Sequence, residues 1–367
     1  MLNLTLMDGF KNKLLEKIKN LTEKDREIFD RIFTVWETKG HLNPPKEMED
    51  WIKENFSKVE NVVDQDFLKI TNKITYEGAI FNELRTMRPV INDGNLDEIF
   101  EVINSSSNGP FSKPLTQTPE DVFGRIKGKF CITASNVAKY DGMHGLIIFD
   151  NHNPLHFKKD RVRDYFDVAR KWFAKAFEAQ PKAVYPLFTW NCLWKAGASV
   201  IHSHSQLALT EGMAYARIEE HRSLTLKYQE EYRTNYFDDL FYLHDLFGLA
   251  LEKNGIRIVS KLTPFKEKEL EIYTTSFDDN LADTVNDILN TYKEDLGVVS
   301  FNVAIILPPM TKTYEVWTHM PVIIKLVDRG SLSSKTADIG SMEIYAQSVI
   351  GSNPYFVYEK LKAKLNP

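Results

Sequence analysis

An α+β fold, duplicated along the chain, is what this sequence predicts: antiparallel sheet with packed helices in each half, behind a helical N-terminal extension. Three observations predict it. The order strand, turn, strand, helix, strand, strand runs from about residue 128 to 209 and again from about 256 to 327. Each run holds one amphipathic helical segment between its two strand pairs. Small signatures return as well, the "FTWN" of the first run being echoed by "SFN" in the second. The expected division is 1–110 for the extension and a loop, 111–240 for the first half, and 241–367 for the second.

The elements follow in order. Residues 1 to about 60 read as charged amphipathic helices, as in "FKNKLLEKIKNLTEKDREIFDRIFTVWE", with Pro44-Pro45 placed to open a new one. "INSSSNGPFSKPLTQTPED" is polar and rich in turn formers, which predicts a long loop or insertion. "GKFCITASNVAKYDGMHGLIIFD" reads as two strands around a turn. In "DRVRDYFDVARKWFAKAFEAQ" the spacing puts Val162, Phe166, Ala169, Phe173 and Phe177 on one helical face. "AVYPLFTWN" and "ASVIHSHSQLAL" are the next two strands. The second run repeats this with "IRIVSKLTPFKEKELEIYT", the helix "NLADTVNDILNTYKEDL", and the strands in "VVSFNVAIILPP" and "EVWTHMPVIIKLV". That last segment matches the histidine-rich strand of the first half, with His319 its one histidine. One half is then active and the other retired from the chemistry.

Bulk properties exclude several function classes. A net charge of -5, without a Lys/Arg tract, argues against broad binding to nucleic acid or to an anionic membrane. Two cysteines, Cys131 and Cys192, cannot build a disulfide framework or a Cys-x-x-Cys zinc knuckle. No run of ~20 apolar residues is present, and charges interrupt the N-terminal segment where a signal peptide would need a continuous apolar stretch. The expectation is a reducing, cytoplasmic setting.

The chemistry concentrates in "WNCLWKAGASVIHSHSQLALTEG". On a strand, alternation makes His202, His204 and Gln206 project together, with Ser203, Ser205, Leu207 and Leu209 on the other side. Upstream, Gly197, Ala198 and Ser199 are small enough for an anion to approach the backbone amides. Three readings of this constellation compete. The strand can be structural, its polar face simply hydrated. Two imidazoles at i and i+2 can chelate a metal, with His144, His152 or His156 as a third ligand. Or one imidazole attacks phosphorus and carries a nucleotidyl group, since its ordinary pKa near 6.5 leaves much of it neutral at pH 7. The charge that develops on the phosphoryl oxygens then needs donors, which Gln206 and Ser199 can supply.

The gapless match of Asn191, Gly197, Ser199, His202, His204 and Gln206 to an asparagine, small-residue segment and H-x-H-x-Q pattern carries a resemblance. The sequence resembles the galactose-1-phosphate uridylyltransferase branch of the histidine-triad superfamily, which includes ADP-glucose phosphorylase-like enzymes and, more distantly, diadenosine tetraphosphate phosphorylases. The resemblance covers roughly residues 125 to 350. It implies a duplicated histidine-triad-like fold and a nucleotidyltransferase or phosphorylase acting on a nucleoside diphosphate sugar or related nucleotide. The acceptor would be a sugar phosphate or inorganic phosphate. By the same resemblance His204 is the nucleophile, His202 orients the site, Gln206 and Ser199 hold the transferred phosphate, and Asn191 lies near it. Asn136, Val137 and Ala138 in "TASNVAKYDG" would touch the nucleoside, and Glu343 in "GSMEIYAQ" the sugar. His152 would end the strand that follows the nucleoside turn, and a homodimer is a further implication.

Departures from the family pattern bear on cofactors and substrate. Without a Cys-x-x-Cys pair no structural zinc or other cofactor is expected, although His152 and His202 could form a degenerate metal site. Ser203 replaces the usual proline between the histidines. Ile306 in "FNVAII" stands where a second-half histidine is expected, which removes a second metal site. Base, sugar and acceptor stay open. So do a dinucleoside polyphosphate phosphorylase and a catalytically silent nucleotide-binding protein. Lys139 and Lys195 are read as solvated more readily than as substrate contacts, Trp190 and Trp194 as core, Glu219, Glu220 and His221 as helix surface, and Lys325, Asp328 and Arg329 as a loop ion pair.

Overall fold

Apolar spacing makes the Lys159–Ala179 helix, whose buried residues include Val162, Phe166, Ala169 and Phe173, with Phe177 partly buried. Tyr165, Val168, Trp172 and Ala176 are buried too. The face is wider than one stripe because the helix packs both on a sheet and on a second helix, Asp279–Asp295. The computed structural model describes residues 9–86 and 96–365. Its strands in chain order are β1 Phe33–His41, β2 Asp64–Asn72, β3 Gly78–Phe81, β4 Cys131–Ser135, β5 Met143–Phe149, β6 Ala183–Cys192 and β7 His204–Glu211. They continue with β8 Ala250–Lys253, β9 Ile256–Ser260, β10 Leu270–Thr274, β11 Phe301–Ile306, β12 Val322–Asp328 and β13 Ser348–Ile350.

Nine of these strands form one antiparallel sheet, ordered β4-β5-β7-β6-β11-β12-β10-β9-β8. The duplication is visible in it. β4, β5, a helix, β6 and β7 make one half; β9, β10, a helix, β11 and β12 make the other, and β6 pairs with β11 where they meet. Asn191 of "FTWN" pairs directly with Asn302 of "SFN", so the echo marks the centre of the sheet. Gly145 on β5 admits the long helix closely: a Cβ there would lie 2.6 Å from Trp172.

Two expectations are corrected. His319 does not stand where the first half has its histidines. It precedes β12 and its Nε2 meets the Arg222 carbonyl at 3.0 Å, while Gln206 opposite Thr189 is matched by Arg329, whose N–H donates to Ser300. The extension is not all helix either. Phe10–Lys19 and Glu23–Ile32 are helical, but Phe33–His41 pairs with Asp64–Asn72 as strands, joined by β3 and, in parallel, by the C-terminal β13. Alternation of Phe33 and Val35 with Thr34 and Trp36 suits a strand, and the sheet partner that decides it lies some thirty residues on.

Helices Lys159–Ala179, Asp279–Asp295 and Pro354–Leu365 cover one face of the large sheet and make the principal core. The opposite face carries the sheet's polar side chains beside further apolar ones, among them Leu146, Ile148, Ile306 and Ile323. Over the second half that face is roofed by the N-terminal elements and by helices Ala216–Tyr232 and Tyr236–Leu246. Beneath the roof lies a buried charge network: Lys261 Nζ is 2.7 Å from Glu77, 3.6 Å from Glu269 and 3.5 Å from Glu271. Lys325 Nζ is 2.9 Å from Glu271 and 3.2 Å from Glu77. Burial opposes ionisation of Glu77, but the two ammonium groups outweigh it and hold the carboxyl at about 2. Lys325 is thus a strand residue of this network. Asp328 pairs with Lys268, and Arg329 makes a two-pronged pair with Asp338.

Lys261 is 4% exposed, and removing it strips Glu269 and Glu271 of a cation they cannot replace with water. Lys261→Met is expected to lower the unfolding free energy by about 3–5 kcal/mol in urea titrations. A loss below about 1 kcal/mol would mean the pairs behave as solvated surface pairs do.

Candidate active site

With helices on one face of the sheet, alternation along β7 sends Leu207 and Leu209 into the core and His204 and Gln206 to the other face. Thr189 and Asn191 of β6 share that polar face, and the β6–β7 ladder ends at Thr189 opposite Gln206. Past that pair the chain leaves β6 through Leu193, at φ +66°, and Gly197, at φ +88°. His202 lies just before β7 rather than on it. Its ring reaches across to β5, where Nε2–H donates to the Phe149 carbonyl at 2.8 Å.

His204 is 7% exposed. Its Nδ1 is 2.7 Å from the His202 carbonyl, which can only accept, so Nδ1 carries the hydrogen and Nε2 keeps its lone pair. Among the described residues Nε2 has no hydrogen-bond partner. Burial pushes the imidazole pKa down, against the upward pull of that carbonyl, and the neighbouring His202 adds to the lowering. Such an imidazole favours its neutral form and keeps a lone pair at Nε2.

Gln206 accepts at Oε1 from His144 Nε2 at 2.9 Å. His144, on β5, is fully buried, its ring 3.7 Å from that of Tyr140. Asn136 ends the β4 side of the turn, its Oδ1 taking the Ala138 N–H at 3.2 Å and its Nδ2 lying 3.2 Å from His144 Nε2. Val137 and Ala138 are exposed at the turn, Val137 to 83%. Lys139 folds back to Ser135 Oγ at 2.7 Å and the His144 carbonyl at 3.0 Å. Asn191 accepts at Oδ1 from Asn302 Nδ2 at 2.7 Å. Ser199 and Gly197 are exposed in the small-residue loop, and Lys195 is held by the Thr336 carbonyl at 2.6 Å.

His152 and His202 face each other, Nδ1 to Nδ1, at 3.2 Å. The outer nitrogen of His152 meets the Ile103 carbonyl at 2.6 Å, so that nitrogen also carries a hydrogen. Burial lowers the His202 pKa, against the upward pull of the Phe149 carbonyl, and the neighbouring His152 adds to the lowering. Among the described residues no three His, Cys, Asp or Glu side chains converge as a metal site, so this pair lacks the further ligands of a tetrahedral zinc.

The Phe111 ring stands edge-on to His204 at 5.1 Å and to His202 at 6.2 Å. Phe111 also lines a cavity of about 670 Å³ together with His152, His202, Lys113, Lys127 and Lys129. Asp150 also lines it but is paired with Arg161. The segment read as a plain loop therefore brings Phe111 to the imidazoles on short helical turns. Glu343 is placed elsewhere: it caps its own helix at the Gly340 N–H, 2.8 Å away, and lines a separate cavity of about 460 Å³ with Lys325, Glu77 and His221. His221 is accordingly not a surface group; burial, then Lys325, pull its pKa to about 4. Glu219 grips Arg222 at 2.6 and 2.7 Å, while Glu220 is exposed. Trp190 is core and Trp194 packs at its edge.

No protein-family model matches the sequence, and no curated protein is similar enough to match. Solved structures are. An ADP-glucose phosphorylase from Arabidopsis thaliana with bound ADP-glucose superposes with a TM-score of 0.60 at 16% identity, over 80% of this chain and 97% of that one. A galt-like protein from Arabidopsis thaliana gives 0.57 at 15%, over 80% and 98%. A uridylyltransferase gives 0.55 at 12%, over 68% and 88%. The chain has the uridylyltransferase fold. The duplicated histidine-triad-like architecture implied by the sequence resemblance is borne out at that level.

Within the uridylyltransferase fold, sequence reasoning left three contributors unassigned. Phe111 carried no signal, His144 showed itself only as a spare histidine, and Asn302 only as an echo. Removing the Phe111 ring is expected to expose His204: Phe111→Ala should raise the rate of diethylpyrocarbonate modification there by about tenfold, read by peptide mass spectrometry. An unchanged rate would show that Phe111 does not control access.

Proposed function

We propose that this chain transfers a nucleoside monophosphate from a nucleoside diphosphate sugar, or a related nucleotide, to inorganic phosphate or a sugar phosphate. The single observation that carries this is the Nε2 lone pair of His204, which has no partner among the described residues and is set by the His202 carbonyl at 2.7 Å from Nδ1, two residues before Gln206. In the first step Nε2 attacks the α-phosphorus, a nitrogen–phosphorus bond forms, and the bond to the leaving sugar phosphate breaks. That group departs with the electron pair as a phosphate anion, so no general acid is needed, and Gln206 has no proton to give. In the second step an acceptor phosphate oxygen attacks the same phosphorus and the imidazole leaves.

The rest of the site supports this. Asn191 and Gln206 can donate to the nonbridging oxygens, where charge grows in the transition state. Lys113, Lys127 and Lys129 make the adjoining cavity hospitable to phosphates. Asn136, Val137 and Ala138 form an exposed turn suited to the nucleoside, and Ser199 and Gly197 an open loop suited to the phosphate. No described helix is long and apolar enough to cross a membrane.

ADP-glucose and UDP-glucose labelled with ³²P at the α-phosphate are the probes. The expected label is stable to base, released by acid, and reduced on the order of 10³-fold or more in His204→Ala. Because burial lowers the His204 pKa, the acid limb of kcat/KM should fall below the ordinary imidazole value of about 6.5. Nucleotide binding without any label would instead make the chain a silent binding protein.

A further inference from the structure

Both carboxamides beside His204 can face a phosphate in two ways, and only one helps. The amide hydrogens stabilise its charge; the carbonyl oxygen repels it. Something must therefore fix each orientation before substrate arrives.

For Gln206 the chain of bonds leaves one choice. The Tyr140 backbone N–H points at His144 Nδ1 at 3.3 Å, and a backbone amide can only donate. Nδ1 is then the unprotonated nitrogen, and Nε2–H must donate. Its neighbours are Gln206 at 2.9 Å and Asn136 Nδ2 at 3.2 Å, and Asn136 has already turned its oxygen to the Ala138 N–H. Gln206 Oε1 is the acceptor, so its amide nitrogen stays free. Protonating His144 would set a ring N–H against the Tyr140 N–H, and burial also lowers its pKa.

For Asn191 the fixing group comes from the other half. Arg329 Nη1 donates to Asn302 Oδ1 at 2.6 Å, and a guanidinium can do nothing else. Asn302 Nδ2 donates to the Ala196 carbonyl at 2.8 Å, which can only accept. Both ends of Asn302 are decided, and the group 2.7 Å from its Nδ2 must be an oxygen of Asn191. Arg329 is itself held by Asp338 at 2.6 and 2.9 Å.

We infer that His144 and Asn302 are positioning residues, resting on the function proposed above, which lock Gln206 and Asn191 with their amide hydrogens toward the transferred phosphate. The half without a nucleophile thereby serves the reaction through Asn302. Orientation of this kind acts in the transition state, where the phosphoryl charge is largest.

Asn302→Asp is the sharper variant, because the carboxylate still pairs with Arg329 while Asn191 must rotate to donate to it. His144→Phe removes the other lock, and His144→Gln restores a donor near Nε2. With α-³²P ADP-glucose or UDP-glucose, whichever labels the wild type, Asn302→Asp and His144→Phe should each slow labelling by about 10–100-fold. KM for that donor should move less than about threefold, and His144→Gln should recover most of the rate. Nitrogen spectra of ¹⁵N-histidine-labelled protein should show His144 protonated at Nε2 alone. Wild-type labelling rates in both variants, or a proton on Nδ1 of His144, would overturn the assignment. If the wild type takes no label, the proposed function fails by itself, and the spectra still decide the His144 lock.

Discussion

One constraint governs the molecule: a nine-stranded antiparallel sheet with one face buried under helices. Burial of that face fixes the register of every strand, because a slip of one residue would turn Leu207 and Leu209 outward and His204 and Gln206 into the core. Polar chemistry has only the other face to occupy. The two halves meet there at β6 and β11, and the Asn191–Asn302 pair at the junction carries the influence of one half into the other.

The halves use the same face in opposite ways. In the first, the face keeps titratable groups short of charge: His204 and His144 are neutral, and what they offer is a lone pair and a tautomer. In the second, Lys261 and Lys325 are interleaved with Glu77, Glu269 and Glu271 beneath the roof, with Lys261, Glu269 and Glu271 buried and Lys325 and Glu77 at the edge of a cavity. Such a network holds together only if every partner is present, and Glu77 arrives from the turn between β2 and β3. The N-terminal extension therefore does more than decorate the fold. It supplies a charge without which two buried ammonium groups would be undercompensated.

How much of this was legible in the sequence depended on the range of the information needed. The long helix and the two-residue alternation of the histidine strand are local, and both were readable, as was the duplicated element order. The family spacing from Asn191 to Gln206 was readable for the same reason. Non-local facts were not. Whether Phe33–His41 becomes strand or helix is settled by pairing with Asp64–Asn72. That His144 meets Gln206 follows from the β5–β7 register, with Leu146 opposite Gln206. Phe111 reaches the imidazoles through a segment whose composition announced only turns. The echo misled in one place: strand grammar suggested His319, while the ladder puts Arg329 at the position matching Gln206.

Burial of His204 has two consequences that cannot be separated. It lowers the imidazole pKa, and the same enclosure leaves the ring 7% exposed with Phe111 edge-on to it. The segment that carries Phe111 is anchored to the site at His152, through the Ile103 carbonyl and Ser106 Oγ. His152 in turn touches His202, whose carbonyl sets the tautomer of His204. The Ile103–Ser106 segment, His152, His202 and His204 thus form one run of hydrogen bonds.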